Sequence, residues 1–202
     1  LRIVPGGIHS GHFILKIFGL SSSKKSTLIT EEELKTMIEI GHEEGVVSEE
    51  ERKMLHRIFE FGDTKIMDVM VPKEKIIGVD IKTSSDDLLN IFVEEGHARL
   101  PIYKESKDNI VGIVYAQDLL YILREKGLFL LSDLLHEACF VAGTMRVNDL
   151  LRKFQAEKMQ IAIIVDKDKK TLGLVTLEDL IEEIVGEIEE KRFIKRKQRI
   201  VK

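Results

Sequence analysis

Gly112-Ile-Val-Tyr-Ala-Gln-Asp118-Leu-Leu is answered further down the chain by Gly173-Leu-Val-Thr-Leu-Glu-Asp179-Leu-Ile. The two stretches lie about sixty residues apart, the length of one repeated supersecondary unit. Each follows an apolar run, Leu100-Pro-Ile-Tyr103 in the first copy and Ile161-Ala-Ile-Ile164 in the second. In both copies nine positions separate the end of that run from the glycine, and six more reach the aspartate. Upstream, Asp87-Leu-Leu with Phe92 is matched by Asp149-Leu-Leu with Phe154. Each copy has an apolar face that must be buried on its twin. Two pseudo-symmetric halves leave a cleft with matched loops on both sides, which suits a small ligand.

Within each copy the pattern alternates strand, helix, strand, strand, helix. Ile76-Ile-Gly-Val79 is short and β-branched, and Ser84-Ser-Asp-Asp87 caps a helix carrying Leu88, Leu89, Ile91 and Phe92. Arg99-Leu-Pro-Ile-Tyr103 and Ile110-Val-Gly-Ile-Val114 read as hairpin strands around a turn at Ser106-Lys-Asp-Asn109, with a helix beginning near Gln117. The second copy has Ile161–Val165 and Thr171–Val175 around Asp166-Lys-Asp-Lys-Lys170. The expected fold is α+β, two tandem β-α-β-β-α repeats packed as a pseudo-two-fold pair. Two capping boxes, Thr30-Glu-Glu-Glu33 and Ser48-Glu-Glu-Glu51, place short acidic helices ahead of them, joined through Gly41-His-Glu-Glu-Gly45.

The expected divisions are a linker-like lead over residues 1–29 and an acidic helical segment over 30–63. The repeats occupy 64–125 and 126–186, and a charged tail 187–202. With 202 residues and 44% hydrophobic content the chain can build a real core. A formal charge of −4 does not point to nucleic acid. The one cysteine, Cys139, excludes an internal disulfide and reads as a buried inert thiol. No run approaches the roughly 18–20 apolar residues that span a bilayer. The first twenty residues lack the order of a signal peptide, so the sequence predicts a soluble chain.

The chemistry is concentrated at Gly173-Leu-Val-Thr176-Leu-Glu-Asp179. Its spacing puts a hydroxyl at a helix N-cap and a carboxylate one turn on. A carboxylate can accept from both hydroxyls of a ribose, and the N–H groups of a helix start can receive a phosphate. Thr-x-x-Asp is equally an ordinary capping arrangement. In the first repeat Tyr115 stands at the hydroxyl position while Asp118 remains, which predicts one good site rather than two. Hydrolase, Walker and zinc-protease motifs are absent. A metal site from His9 and His12, or from Glu182, Glu183, Glu187, Glu189 and Glu190, competes with the plainer reading of solvated surface. The apolar residues after each aspartate (Leu119, Leu120, Ile122 and Leu123; Leu180, Ile181, Ile184 and Val185) exceed one helix face, which suggests two-fold self-association.

Five stretches carry a family resemblance: Thr30-Glu-Glu-Glu-Leu34, Gly45-Val-Val-Ser-Glu-Glu-Glu-Arg52, Ile66-Met-Asp-Val-Met-Val-Pro72, Arg99-Leu-Pro-Ile-Tyr103 and Leu174-Val-Thr-Leu-Glu-Asp-Leu-Ile-Glu-Glu-Ile-Val-Gly-Glu187. The repeat resembles the cystathionine-β-synthase (CBS) domain, which occurs in tandem pairs and commonly binds adenosine nucleotides between them. The closer similarity is to the CorC/HlyC haemolysin-like and CNNM group of magnesium- and cobalt-transport proteins, across residues 30–187.

That resemblance implies a regulatory, non-enzymatic module binding ATP, ADP or AMP, with Mg2+ on the phosphates. It implies a nucleotide site at Met70, Val71, Pro72, His97, Ala98, Arg99, Pro101, Thr176, Glu178 and Asp179, with Tyr115 and Asp118 as a degenerate second site. Relatives often carry Met-Thr-Pro and Gly-Tyr-x-Arg where this chain has Met70-Val71-Pro72 and Gly96-His97-Ala98-Arg99. Val71 thus lacks a hydroxyl, and His97 offers a smaller ring for stacking. Arg99 is positioned to meet phosphate. The implied partners are a second CBS pair in a homodimer and the membrane transport domain of the full-length protein, without nucleic acid. That domain, and often a small C-terminal one, is expected to lie outside these residues, making this the cytoplasmic module of a cell-membrane protein. The alternative is a structural dimerisation module with no bound nucleotide; a secreted haemolysin fits poorly without a signal peptide.

Overall fold

Capping chemistry starts the first helices where the sequence predicts them. The computed structural model describes residues 29–120 and 131–186. Helices α1 (Glu31–Glu43) and α2 (Glu49–Phe61) each open on a reciprocal box, Thr30 with Glu33 and Ser48 with Glu51. Helix α1 continues through Gly41 rather than ending before it, and the reversal falls at Gly45, whose φ is +74°. No residue of α1 is buried, and Leu34, Met37 and Ile40 stay exposed. Charge ties it to α2: Arg52, which Glu49 holds at 2.9 Å within α2, lies 3.1 Å from Glu39, His56 Nε2 lies 2.6 Å from Glu39, and His42 Nε2 lies 3.4 Å from Glu49. The Arg52 guanidinium, helped by Lys53, holds the Glu49 carboxyl down at about 2. Exposed pairs are screened by solvent, so α1 is weakly anchored.

The first repeat comprises α3 (Ile66–Val69), β1 (Val71–Pro72), β2 (Val79–Asp80), α4 (Ser85–Glu95), β3 (Arg99–Lys104) and β4 (Ser106–Tyr115). The second comprises β5 (Cys139–Ala142), α5 (Val147–Glu157), β6 (Ile161–Val165), β7 (Thr171–Thr176) and α6 (Leu177–Val185). Ser84 caps α4 through Asp87 N–H, as its sequence implies. The strand expected at Ile76–Val79 is shorter and later, Val79–Asp80, with Ile76–Gly78 irregular after a 3-10 turn at Lys73–Lys75. The first hairpin turns at Glu105, with φ +71°, and not at Ser106–Asn109. Those polar residues are drawn into β4 by tertiary bonds: Lys107 Nζ donates to Ile76 O at 2.7 Å, and Thr171 Oγ1 donates to Asp108 O at 3.3 Å. The helix expected from Gln117 begins as a 3-10 turn over Ala116–Asp118, and its continuation lies outside the described residues.

One sheet has the order β2-β3-β4 and the other β1-β7-β6-β5. Strand β1 precedes the first repeat's core in sequence yet pairs with the last strand of the second, Val71 opposite Leu174 and Pro72 opposite Gly173. The lead into the second repeat returns the favour. His136 N–H donates to Ile113 O at 2.9 Å, and Ile113 N–H donates to His136 O at 3.0 Å. Each repeat therefore lends its lead to the other.

The repeated glycines stand at these crossings. A Cβ on Gly173 would lie 2.5 Å from Val71 O and 2.7 Å from Met70 Sδ, and one on Gly112 would lie 2.9 Å from both His136 O and Leu135 Cδ2. Glycine is needed here for close backbone approach, not for unusual torsions.

Three apolar clusters follow from the topology. Leu88, Phe92, Leu100, Ile102 and Val114 pack under the first repeat's helix. Leu150, Phe154, Ala162, Ile164, Val175 and Leu180 do so in the second, joined by Phe61 and Ile66. Ile76, Ile110, Ile113, Ala138, Ile161, Ile163 and Leu174 form a third cluster shared between the sheets. Strand β6 shows why its sequence is continuously apolar: alternate residues feed clusters on opposite faces. Buried Cys139 sits in the second cluster, and burial pushes its thiol up from the ordinary value.

Replacing Gly173 with Ala should force β1 off β7. Overpacking of this kind costs about 1–3 kcal/mol, a fall of roughly 2–12 °C in Tm for a chain of this size. Thermal unfolding followed by circular dichroism measures it, and an unchanged Tm would contradict the close crossing.

Candidate nucleotide-binding site

Strand β7 delivers Thr176 to the N-cap of α6, where a complete reciprocal cap forms. Thr176 Oγ1 accepts from Asp179 N–H at 3.2 Å and donates to Asp179 Oδ2 at 2.8 Å, while Thr176 N–H donates to the same oxygen at 2.7 Å. The capping interpretation is therefore realised, and it leaves Oδ1 as an acceptor for a ligand hydroxyl. Two amides of the first turn are used within the protein. Leu177 N–H donates to Gln160 O at 3.0 Å and Asp179 N–H to the Thr176 hydroxyl. The helix start thus has less to offer a phosphate than its sequence implies, which shifts that role toward Arg99.

Arg99 arrives from the other repeat, at the first position of β3. Its side chain is only 16% exposed, so it is no free strand-edge charge. Nη1 lies 3.5 Å from Glu178 on the first turn of α6, and Nε is shielded from solvent with no hydrogen-bond partner. The guanidinium carbon stands 5.9 Å from the centre of the Tyr115 ring, within range of a cation–π contact. A cation from the first repeat and a carboxylate pair from the second are thereby brought together.

The neighbouring wall is the crossing itself. Val71 and Pro72 run beside Leu174 and Gly173, and Met70 packs with the second repeat's core. His97 and Ala98 are exposed, while Ala98 O accepts from Ala116 N–H at 2.9 Å and so pins the approach to β3. Pro101 is buried within β3 opposite Ile113. In the first repeat, Tyr115 N–H donates to Asp118 Oδ2 at 2.9 Å, and His136 Nε2 lies 3.0 Å from that same oxygen. His136 carries no motif of its own in the sequence; its place is positional, opposite Ile113 as Val71 is opposite Leu174.

A separate polar cleft of about 290 Å³ opens between α2 and α6, lined by Arg57, Glu60, Phe61, Thr64, Glu182, Glu183 and Gly186. It includes none of the residues expected to hold nucleotide. Among the described residues no group of three or more His, Cys, Asp or Glu is arranged to hold a metal ion, and no helix is long and apolar enough to cross a membrane. His9, His12, Glu187, Glu189 and Glu190 lie outside the described residues.

Fold and site together define a tandem CBS pair, two β-α-β-β-α units exchanging their leads about a pseudo-two-fold. The CBS-domain family model matches residues 66–125 and 131–186, and the model described as the cyclin M transmembrane N-terminal domain matches residues 8–51. The chain belongs to the CorC/CNNM family. The second match overlaps both the lead and the acidic helices, so the membrane-domain signature enters a stretch that the sequence reading had set outside it.

The magnesium and cobalt efflux protein CorC of Escherichia coli K12 is 33% identical over 79% of this chain and 55% of its own length. Solved structures of the CBS domain of a bacterial CNNM/CorC family Mg2+ transporter are 39% identical. One covers 80% of this chain and 99% of its own, with a TM-score of 0.73. Another, in complex with ATP, covers 68% and 99%, with a TM-score of 0.65. A CBS-domain pair with bound AMP from Klebsiella pneumoniae is 29% identical over 61% of this chain and 99% of its own, at a TM-score of 0.54. The chain spans from 27% to 55% of the length of the first curated relatives that it matches.

Replacing Thr176 with Ala removes both bonds of the capping hydroxyl, to the Asp179 N–H and to Asp179 Oδ2, and should cost about 1 kcal/mol of stability, a fall of roughly 2–4 °C in Tm. No loss in thermal unfolding would mean that the Thr176–Asp179 box contributes nothing to α6.

Proposed function

We propose that this chain is a regulatory, non-enzymatic module of a magnesium- or cobalt-transport protein, and that it binds an adenine nucleotide where the two repeats meet. The observation that carries the reading is the meeting of Arg99, from the first repeat, with Glu178 at the head of α6 beside Asp179. A ribose has an acceptor in Asp179, its phosphates have a cation in Arg99, and Mg2+ on those phosphates offsets the remaining negative charge. The base lies toward Met70, Val71, Pro72 and His97. The ATP- and AMP-bound CBS neighbours support the ligand class. In this reading Tyr115 and Asp118 form a half-site that takes no nucleotide.

Nucleotide binding regulates only if it favours one arrangement of attached parts over another. A site built from both repeats meets that condition, since its ligand bridges them. The module stands on the cytoplasmic side of the membrane domain and acts on it. It pairs with a second copy through the helices that follow each aspartate, where Leu120, Ile181 and Val185 are 69%, 40% and 45% exposed. Light scattering at micromolar concentration should give twice the 23.1 kDa chain mass; a monomer with and without ATP would overturn the pairing.

Calorimetric titration with Mg·ATP separates the regulatory reading from an empty dimerisation module, which gives no heat. Replacing Asp179 with Ala removes a charged hydrogen-bond acceptor worth about 1.5–3 kcal/mol, so affinity should fall roughly ten- to a hundredfold. The same change at Asp118 should have a much smaller effect. Unchanged ATP affinity in a folded D179A protein would sink the assignment.

A further inference from the structure

The half-site that mirrors the nucleotide site has an occupant from within the chain. In the second repeat, Asp179 Oδ2 receives two bonds, from the Thr176 N–H and the Thr176 hydroxyl. In the first, the Tyr115 N–H supplies the equivalent backbone bond to Asp118 Oδ2, and the second contact comes from His136 Nε2. With the carboxylate ionised, that nitrogen carries the proton and donates it. The pseudo-symmetry explains how His136 gets there. It is bonded to Ile113 as Val71 is paired with Leu174, and Ile113 and Leu174 each follow the repeated glycine. His136 is therefore the counterpart of Val71. Where the lead of the first repeat presents a small apolar side chain, the lead of the second presents an imidazole that reaches Asp118. Asp118 is left only 6% exposed.

The same imidazole extends the chain of contacts toward the other repeat. Its ring meets the Tyr115 ring at 87° with centroids 4.7 Å apart. Tyr115 in turn faces the Arg99 guanidinium at 5.9 Å, and Arg99 reaches Glu178 at 3.5 Å. Arg99 has no hydrogen-bond partner at Nε, so a ring rather than an acceptor supports that end of its guanidinium. A long side chain prearranged in this way loses less freedom when an anion arrives.

We infer that His136 is a positioning residue for the nucleotide phosphates: held by Asp118, it fixes Tyr115, and Tyr115 holds Arg99 toward the head of α6. This rests on the nucleotide reading above and adds to it the part played by the closed half-site. If His136 were only a cap for Asp118, its loss would weaken the fold and treat every ligand alike. If it acts through Arg99, its loss falls on phosphate-bearing ligands.

The test is calorimetry of the full chain with ADP and with adenosine, for the wild type, His136→Ala, Arg99→Ala and the double variant. His136→Ala should weaken ADP about tenfold and change adenosine by less than about twofold, and in the Arg99→Ala background it should cost ADP nothing further. Should His136→Ala fail to fold, His136→Gln keeps a donor toward Asp118 while removing the ring, and the selective loss of ADP should persist. Equal weakening of both ligands, or the same loss without Arg99, would overturn the inference while leaving the nucleotide reading in place. A wild-type chain that binds neither ligand would overturn the reading and this inference with it.

Discussion

Everything else in this fold depends on the exchange of leads at two glycines. Gly173 and Gly112 leave room for a backbone to lie against the last strand of each repeat, and the strand that lies there belongs to the other repeat. The exchange joins the repeats by backbone hydrogen bonds as well as by the shared apolar cluster around Ile113, Ile163 and Leu174. It also decides what each aspartate sees. Beside the strand that leads to Asp179 runs Val71 of the first lead, whereas Asp118 meets His136 of the second at 3.0 Å. One backbone arrangement, used twice with different side chains, gives the two aspartates different partners, Thr176 for Asp179 and His136 for Asp118.

The asymmetry has a chemical cause. A threonine at the cap satisfies its aspartate locally and leaves the surroundings to a ligand. The tyrosine at the same place gives only its backbone N–H, and His136, eighteen residues on, supplies the second contact to Asp118. A chain of contacts then runs across the molecule, from Asp118 through the edge-to-face rings of His136 and Tyr115 to Arg99 and on to Glu178. The acidic helices are built on a different principle. Helix α1 buries no residue and is attached to α2 by charged contacts, Glu39 to Arg52 and His56 and His42 to Glu49.

Much of this was legible because it is local. The repeat, the caps at Thr30, Ser48, Ser84 and Thr176, and the hairpin around Asp166–Lys170 all follow from residues a few positions apart. The exchange was not legible, because nothing within Met70–Pro72 or around His136 states which strand will be its neighbour. The two glycines read as repeat markers, while their steric role appears only once the crossing backbones are known. The turn at Glu105 was misplaced because Ser106–Asn109 has turn composition, yet Lys107 and Asp108 are committed to partners far away in sequence. For the site, the family pattern pointed to Thr176, Glu178, Asp179 and Arg99, and the structure sets Arg99 3.5 Å from Glu178 and Thr176 against Asp179. The bond of the Asp179 amide belongs to the cap motif, whereas the capture of the Leu177 amide by Gln160 O was not foreseeable from it.

The most direct measurement is a crystal structure of this chain grown with ADP and Mg2+. Ribose hydroxyls should lie on Asp179 Oδ1 and phosphates on Arg99, with His136 still bonded to Asp118. Nucleotide seated on Asp118 with His136 displaced, or lodged in the polar cleft between α2 and α6, would contradict it.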